Sequence, residues 1–208
     1  VKKNKTGNGK AHIYDPENLT LSYSFNQMEH HDFEVEKLLD QQAKTTVDYA
    51  FSFQPKAVAP FSKSKFLKKS SYLKLLQDFN FNYLPSSINF STTILRNFNK
   101  QQFRQIEVAG IPLDPLFRRN YNFNYNYGFN YNLTKSLKLA FTASTNNIVK
   151  SYLDEYKIAN PDNTIWTDYW NIGEPNQHNQ QLIANYELPL NKIPFLSFIN
   201  SDYTYTGD

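Results

Sequence analysis

The sequence predicts an all-β fold, a transmembrane antiparallel β-barrel with about eight strands in hand. Two observations predict it. Apolar and polar side chains alternate with a period of two in several separate segments, and short connections alternate with long ones between those segments.

Taken in order, Leu19, Leu21, Tyr23 and Phe25 alternate with Thr20, Ser22, Ser24 and Asn26 as a first strand. Val47, Tyr49, Phe51 and Phe53 form a second row. Leu73, Leu75, Phe79, Phe81 and Tyr83 form a third, broken by Gln77 and interleaved with Asn80 and Asn82. After Pro85 the phase changes to Ile88, Phe90, Thr92 and Ile94. The fifth segment is the clearest. Tyr121, Phe123, Tyr125, Tyr127, Phe129 and Tyr131 take the odd positions, and Asn120, Asn122, Asn124, Asn126, Asn130 and Asn132 the even ones. Successive side chains of a strand point to opposite faces, so this contrast describes faces that meet different solvents. At ~3.3 Å per residue, 120–132 extends ~43 Å, enough to cross a hydrocarbon layer at ~45° tilt, whereas strands of soluble sandwiches run ~5–6 residues. Leu137, Leu139, Phe141 and Ala143 follow as a sixth strand, and Leu182, Ala184, Tyr186, Leu188 and Leu190 as a seventh. An eighth covers 195–206, where Leu196 and Phe198 fall out of phase with Tyr203 and Tyr205; a bulge would reconcile them.

The connections at 84–87, 133–136 and 190–194 read as tight, and those at 55–72, 100–119 and 149–180 as long. In bacterial barrels short turns face the periplasm and long loops the exterior, which places the connection at 30–44 on the periplasmic side. The predicted lipid-facing residues are Val47, Tyr49, Phe51, Phe53, Phe79, Phe81, Tyr83, Tyr121, Phe123, Tyr125, Tyr127, Phe129, Tyr131, Leu137, Leu139 and Phe141. The predicted lumen-facing residues are Asn80, Asn82, Asn122, Asn124, Asn126 and Asn130.

Composition agrees. Phe occurs 17 times and Tyr 15 times, yet mean hydropathy is −0.63, the average of an apolar and a polar face. That aromatic content argues against disorder. No run of ~18 apolar residues forms a transmembrane helix. The absence of Cys excludes disulfides and thiolate metal sites, and a net charge of +3 is too small to argue for nucleic acid. No secretory signal is visible at 1–4, and neither end reads as a natural barrel terminus. A complete eight-stranded barrel and an arc of a larger one both fit; the arc is favoured, so 1–208 reads as a single, incomplete barrel segment.

Chemistry-bearing motifs are sparse. Glu29, His30, His31, Asp32 and Glu34 cluster in sequence, but adjacent strand residues diverge, so a solvated strand end is the favoured reading over a metal site. Asp154 and Glu155 have no plausible opposing carboxylate. No phosphate loop, nucleophile elbow or zinc-protease motif occurs, so the expectation is no enzyme, no cofactor and no metal. The stretch 62–76, with Lys63, Lys65, Lys68, Lys69 and Lys74, reads equally as a cationic helix at lipid headgroups or as a solvated loop. Trp166 and Trp170 read as a hydrophobic knot folded onto the barrel rim, or as an interaction surface for a partner protein.

Four segments in order carry a family resemblance: 78–91, DFNFNYLPSSINFS; 101–105, QQFRQ; 166–173, WTDYWNIG; and 190–195, LNKIPF. Together they resemble the SprA/Sov family over about 14–208. That family supplies the outer-membrane translocon of the type IX secretion system in Bacteroidota, which in some members also supports gliding motility. Where the family pattern places a basic residue before the Pro matched by Pro175, this chain has Glu174. The resemblance implies an internal fragment of a barrel of ~36 strands, the largest size known. It also implies a role as wall of a conduit for folded cargo proteins, with accessory secretion proteins as partners and the bacterial outer membrane as location. An outer-membrane transporter or a small ligand-binding barrel is the competing expectation.

Overall fold

The computed structural model describes residues 12–64, 74–104, 113–153, 156 and 158–208. Seven strands form one antiparallel sheet in sequential order: β1 (Leu19–His30), β2 (Val35–Ser52), β3 (Ser87–Phe103), β4 (Leu116–Asn132), β5 (Leu137–Ile148), β6 (Glu174–Leu188) and β7 (Ser201–Gly207). Among the described residues β1 and β7 each have a neighbouring strand on one side, so the described sheet is open. The all-β class stands, and the open sheet fits an arc of a barrel.

The expected third strand does not form. Lys74–Gln77 is one turn of helix, and of the row beyond it only Phe81 makes a bridge, a single one to Val58. Leu73 and the segment 65–73 lie outside the described residues, so most of the expected helix or loop at 62–76 does too. The alternation at 79–83 has another cause. Phe79 packs tilted on Phe81, and Phe81 meets Tyr83 edge-on, at centroid distances of 6.1 and 4.8 Å. Asn80 and Asn82 turn their side chains to backbone at the β4–β5 turn: Lys135 donates its N–H to Asn80 Oδ1 at 2.9 Å, and Asn82 Nδ2 donates to the Asn132 carbonyl. Period two here records a loop arm of packed rings, not a ladder.

Losing that strand reorders the connections. In a sequential antiparallel sheet the connections alternate between ends, so those leaving β1, β3 and β5 start from one end, and those leaving β2, β4 and β6 from the other. Each end now has one tight turn and longer connections, so loop length does not orient the sheet. The strands also overrun the apolar stretches that announce them: β2 begins at Val35, β3 continues to Phe103 and β6 begins at Glu174. The phase break in the last segment is not a bulge, because Leu196 lies in a tight helical turn, Pro194–Leu196, ahead of β7.

The chain divides into two compact units, 1–49 with 91–125 and 145–178, and 50–90 with 126–144 and 179–208. In the first, β1 and β2 pair from Leu19↔Tyr49 to His30↔Leu38. Asp32 closes their turn, accepting the Glu34 and Val35 N–H groups at 2.9 and 2.6 Å. The core of this unit joins Ala43, Phe98, Tyr121, Val149 and Ile165, so the segment 149–173 supplies its cover. In the second, β6 and β7 pair from Leu182↔Gly207 to Leu188↔Ser201. Gly128 sits where β4 and β5 approach closely: a Cβ there would lie 2.6 Å from the Phe141 carbonyl oxygen, which explains the one break in the Asn row of β4.

Candidate functional site

The sheet presents two chemically different faces, and side-chain contacts fix which residues share each. In the first unit, Asn146 donates to Asn124 at 2.6 Å, Ser91 to Asp48 at 2.6 Å, and the Thr46 and Thr93 hydroxyls meet at 3.2 Å. Asn122 donates to Asn120 at 2.9 Å along the same row. In the second unit, Asn130 donates to Ser87 at 3.0 Å and Thr204 to Asn185 at 3.0 Å. Each bond joins residues of the polar parity, so this face is a lattice of short amides and hydroxyls bonded across strands. Asn122, Asn124, Asn126 and Asn130 all belong to it. Charges of both signs punctuate it, including Asp40, Asp48, Arg118 and Lys138.

The opposite parity is apolar and open. In the second unit Tyr127 and Phe129 pack on Phe141 at 6.0 and 5.5 Å, and they remain 40% and 37% exposed. Leu182, Tyr186, Tyr203 and Tyr205 are likewise exposed. Phe53, just past the end of β2, continues this row by an edge contact to Phe51 at 4.8 Å. In the first unit Leu19, Leu21, Tyr23 and Phe25 are exposed.

Neither a protein-family model nor a curated protein matches the chain.

Within the first unit the apolar parity changes character toward the strand ends, where Arg96, Lys100, Arg119, Thr145 and Asn147 occupy it. Here the segment 149–173 lies over the strands. Arg96 is fully buried, and its Nη2 donates to the carbonyls of Asp168 and Tyr169 at 2.8 and 3.1 Å, while its guanidinium sits 4.6 Å from the Tyr121 ring centroid. Asp168 adopts the left-handed backbone region, φ 51°, which an Asp tolerates and which turns these carbonyls toward Arg96. Arg119 donates to the Asn160 carbonyl at 3.0 Å and lies against Phe117 and Tyr152. Thr45 and Tyr169 hydroxyls meet at 2.7 Å, and Asn147 donates to the Ile172 carbonyl at 3.1 Å. Two arginines and two neutral side chains thus strap the segment down.

This corrects one expectation. Tyr121 has the apolar parity but is 2% exposed beneath the strap, so it faces the chain's own residues. Arg96 and Arg119 carry the strap, and the sequence does not single them out, since single cations within strands look like solvated side chains until something covers them. Trp166 and Trp170 do join a hydrophobic knot: Trp166 packs on Tyr169 and on Phe25 of β1, at 5.5 and 5.2 Å, and Tyr169 packs on Trp170 at 5.6 Å. Trp170 nevertheless stays 70% exposed. The Glu29 to Glu34 cluster is a turn in which His30 meets Asp32 at 3.1 Å, and no group of three metal-capable side chains gathers among the described residues. Asp154 and Glu155 lie outside the described residues.

Proposed function

We propose that the chain is a wall segment of an outer-membrane protein-conducting channel that exports folded cargo, of the SprA/Sov type that serves type IX secretion. The observation that carries this reading is the pairing of an open apolar face with a bonded amide face on one sheet. An aromatic and aliphatic surface left exposed on β1, β3, β4, β6 and β7 is costly in water and stable against hydrocarbon. The other face offers Asn, Ser and Thr groups already bonded to one another, so a passing protein meets a wet surface with few strong, selective contacts. The wall needs no catalytic group. Its partners are the lipid bilayer, the rest of the parent barrel, accessory secretion proteins and the cargo; nucleic acid has no place in it.

A strain lacking the gene that encodes these residues tests the reading through its secreted proteome. The expected result is the joint loss of many unrelated exported proteins. Intact secretion with loss of uptake of one small molecule would instead establish a selective transporter or ligand-binding barrel.

A further inference from the structure

A groove of about 720 Å³ opens in the second unit, on the apolar side of β5, β6 and β7 near their turns. Leu137, Ala184, Tyr186 and Tyr203 form its floor, and the loop arm carrying Phe79 and Phe81 forms one wall. Lys135 and Lys192 stand at its rim. Lys192 pairs with Asp78 at 3.1 Å, across a gap where both side chains are partly exposed, so the rim carries an excess of positive charge.

We propose that this groove binds one anionic phospholipid, an acyl chain in the trough and the phosphate on Lys135 and Lys192. The proposal rests on the wall reading, which turns this face to lipid. The volume falls in the ~300–1,000 Å³ range of small-molecule sites, which suits one or two acyl chains. Tyrosines beside lysines at the end of an apolar strand face have the chemistry of the bilayer interface, where rings sit at headgroup depth and cations meet phosphate. A peptide is the weaker occupant. On the side of the loop arm and the β4–β5 turn the backbone is already paired, with Asn82 N–H on the Leu133 carbonyl, Glu187 N–H on the Ser136 carbonyl and Phe81 bridged to Val58, so an added strand would find no partners on that side.

Photoactivatable phosphatidylglycerol and phosphatidylcholine, added separately to isolated membranes that carry the chain, provide the test, with crosslinked peptides mapped by mass spectrometry. Phosphatidylglycerol should label 133–137 and 184–192 roughly tenfold more than phosphatidylcholine, since each cation near the surface contributes ~1 kcal/mol. The preference should vanish in Lys135→Ala with Lys192→Ala and survive in Lys135→Arg with Lys192→Arg. Ala184→Trp, which fills the trough, should remove labelling there by both lipids. Equal labelling of the native chain by the two lipids, or a preference that outlives the alanine pair, overturns the site while the wall reading stands. Absence of lipid labelling along the Tyr127 and Phe129 row as well would overturn the wall reading itself.

Discussion

At the scale of single residues, neighbours on β4 carry opposite jobs. Tyr125 belongs to the apolar row and Asn126 to the amide row, and Asn126 is exposed. If the apolar row meets hydrocarbon, Tyr125→Arg should cost about 2–4 kcal/mol near the bilayer midplane, while Asn126→Arg should be close to neutral. Asn124 is a less clean comparison, since it holds Asn146 at 2.6 Å and its loss adds roughly 1 kcal/mol of a different kind. A barrel-assembly assay, scored by resistance of the folded band to heat in detergent, would detect the contrast. Equal penalties would defeat the face assignment. The parity of this strand was legible in the sequence because rings and amides alternate along nearly all of it. Asn80 and Asn82 wear the same pattern without the same meaning. Their amides are consumed by the Lys135 N–H and the Asn132 carbonyl, partners 55 and 50 positions away that no local pattern announces.

At the scale of elements, the segment 149–173 is held by few but strong contacts. Arg96 makes two charge-assisted bonds to carbonyls and a ring contact, all away from water. Arg96→Met keeps the stem and removes these bonds, which should weaken the strap by about 2–4 kcal/mol. The expected outcome is faster proteolytic cleavage within 149–173, with cleavage of the turn at 133–136 unchanged. Protection equal to that of the native chain would show that Tyr152, Ile165 and the Trp knot suffice alone. The turn between β1 and β2 is tuned by pH instead. The Asp32 carboxylate is held below its ordinary range, first by the Val35 N–H and then by His30. A group whose pKa is lowered by folding lends support that is complete above the unfolded value, about 4, and fades as pH falls through the lowered one. Amide exchange at Glu34 and Val35 should therefore stay slow across neutral pH. It should gain an extra, acid-specific acceleration only below about pH 4, absent in Asp32→Asn. The strap was only half legible. The Trp knot could be read from aromatic density, but the arginines beneath it required knowing which strand ends it covers. The extra length of β2, β3 and β6 was illegible for a related reason. Backbone pairing continues past the point where the apolar pattern stops, and a polar strand end reads like a loop.

At the scale of the whole molecule, the open sheet sets the decisive expectation. Among the described residues β1 has β2 as its one neighbouring strand and β7 has β6, so each turns an outer edge away from the sheet. In water such edges template further pairing, and in hydrocarbon each unpaired group costs several kcal/mol. The apolar face compounds the problem, since Tyr23, Phe25, Tyr127, Phe129, Tyr203 and Tyr205 are all substantially exposed. An arc of a larger barrel resolves both difficulties at once, because neighbouring strands pair the edges and lipid covers the rings. A self-sufficient soluble sheet resolves neither. The 208-residue chain expressed alone should therefore fail to give a stable soluble monomer, forming aggregates in detergent-free buffer and larger assemblies in detergent. Light scattering and thermal melting of the purified chain make the measurement. A monodisperse monomer that melts cooperatively without detergent would mean that the edges and the aromatic face are satisfied within this chain, and the wall reading would fall with it.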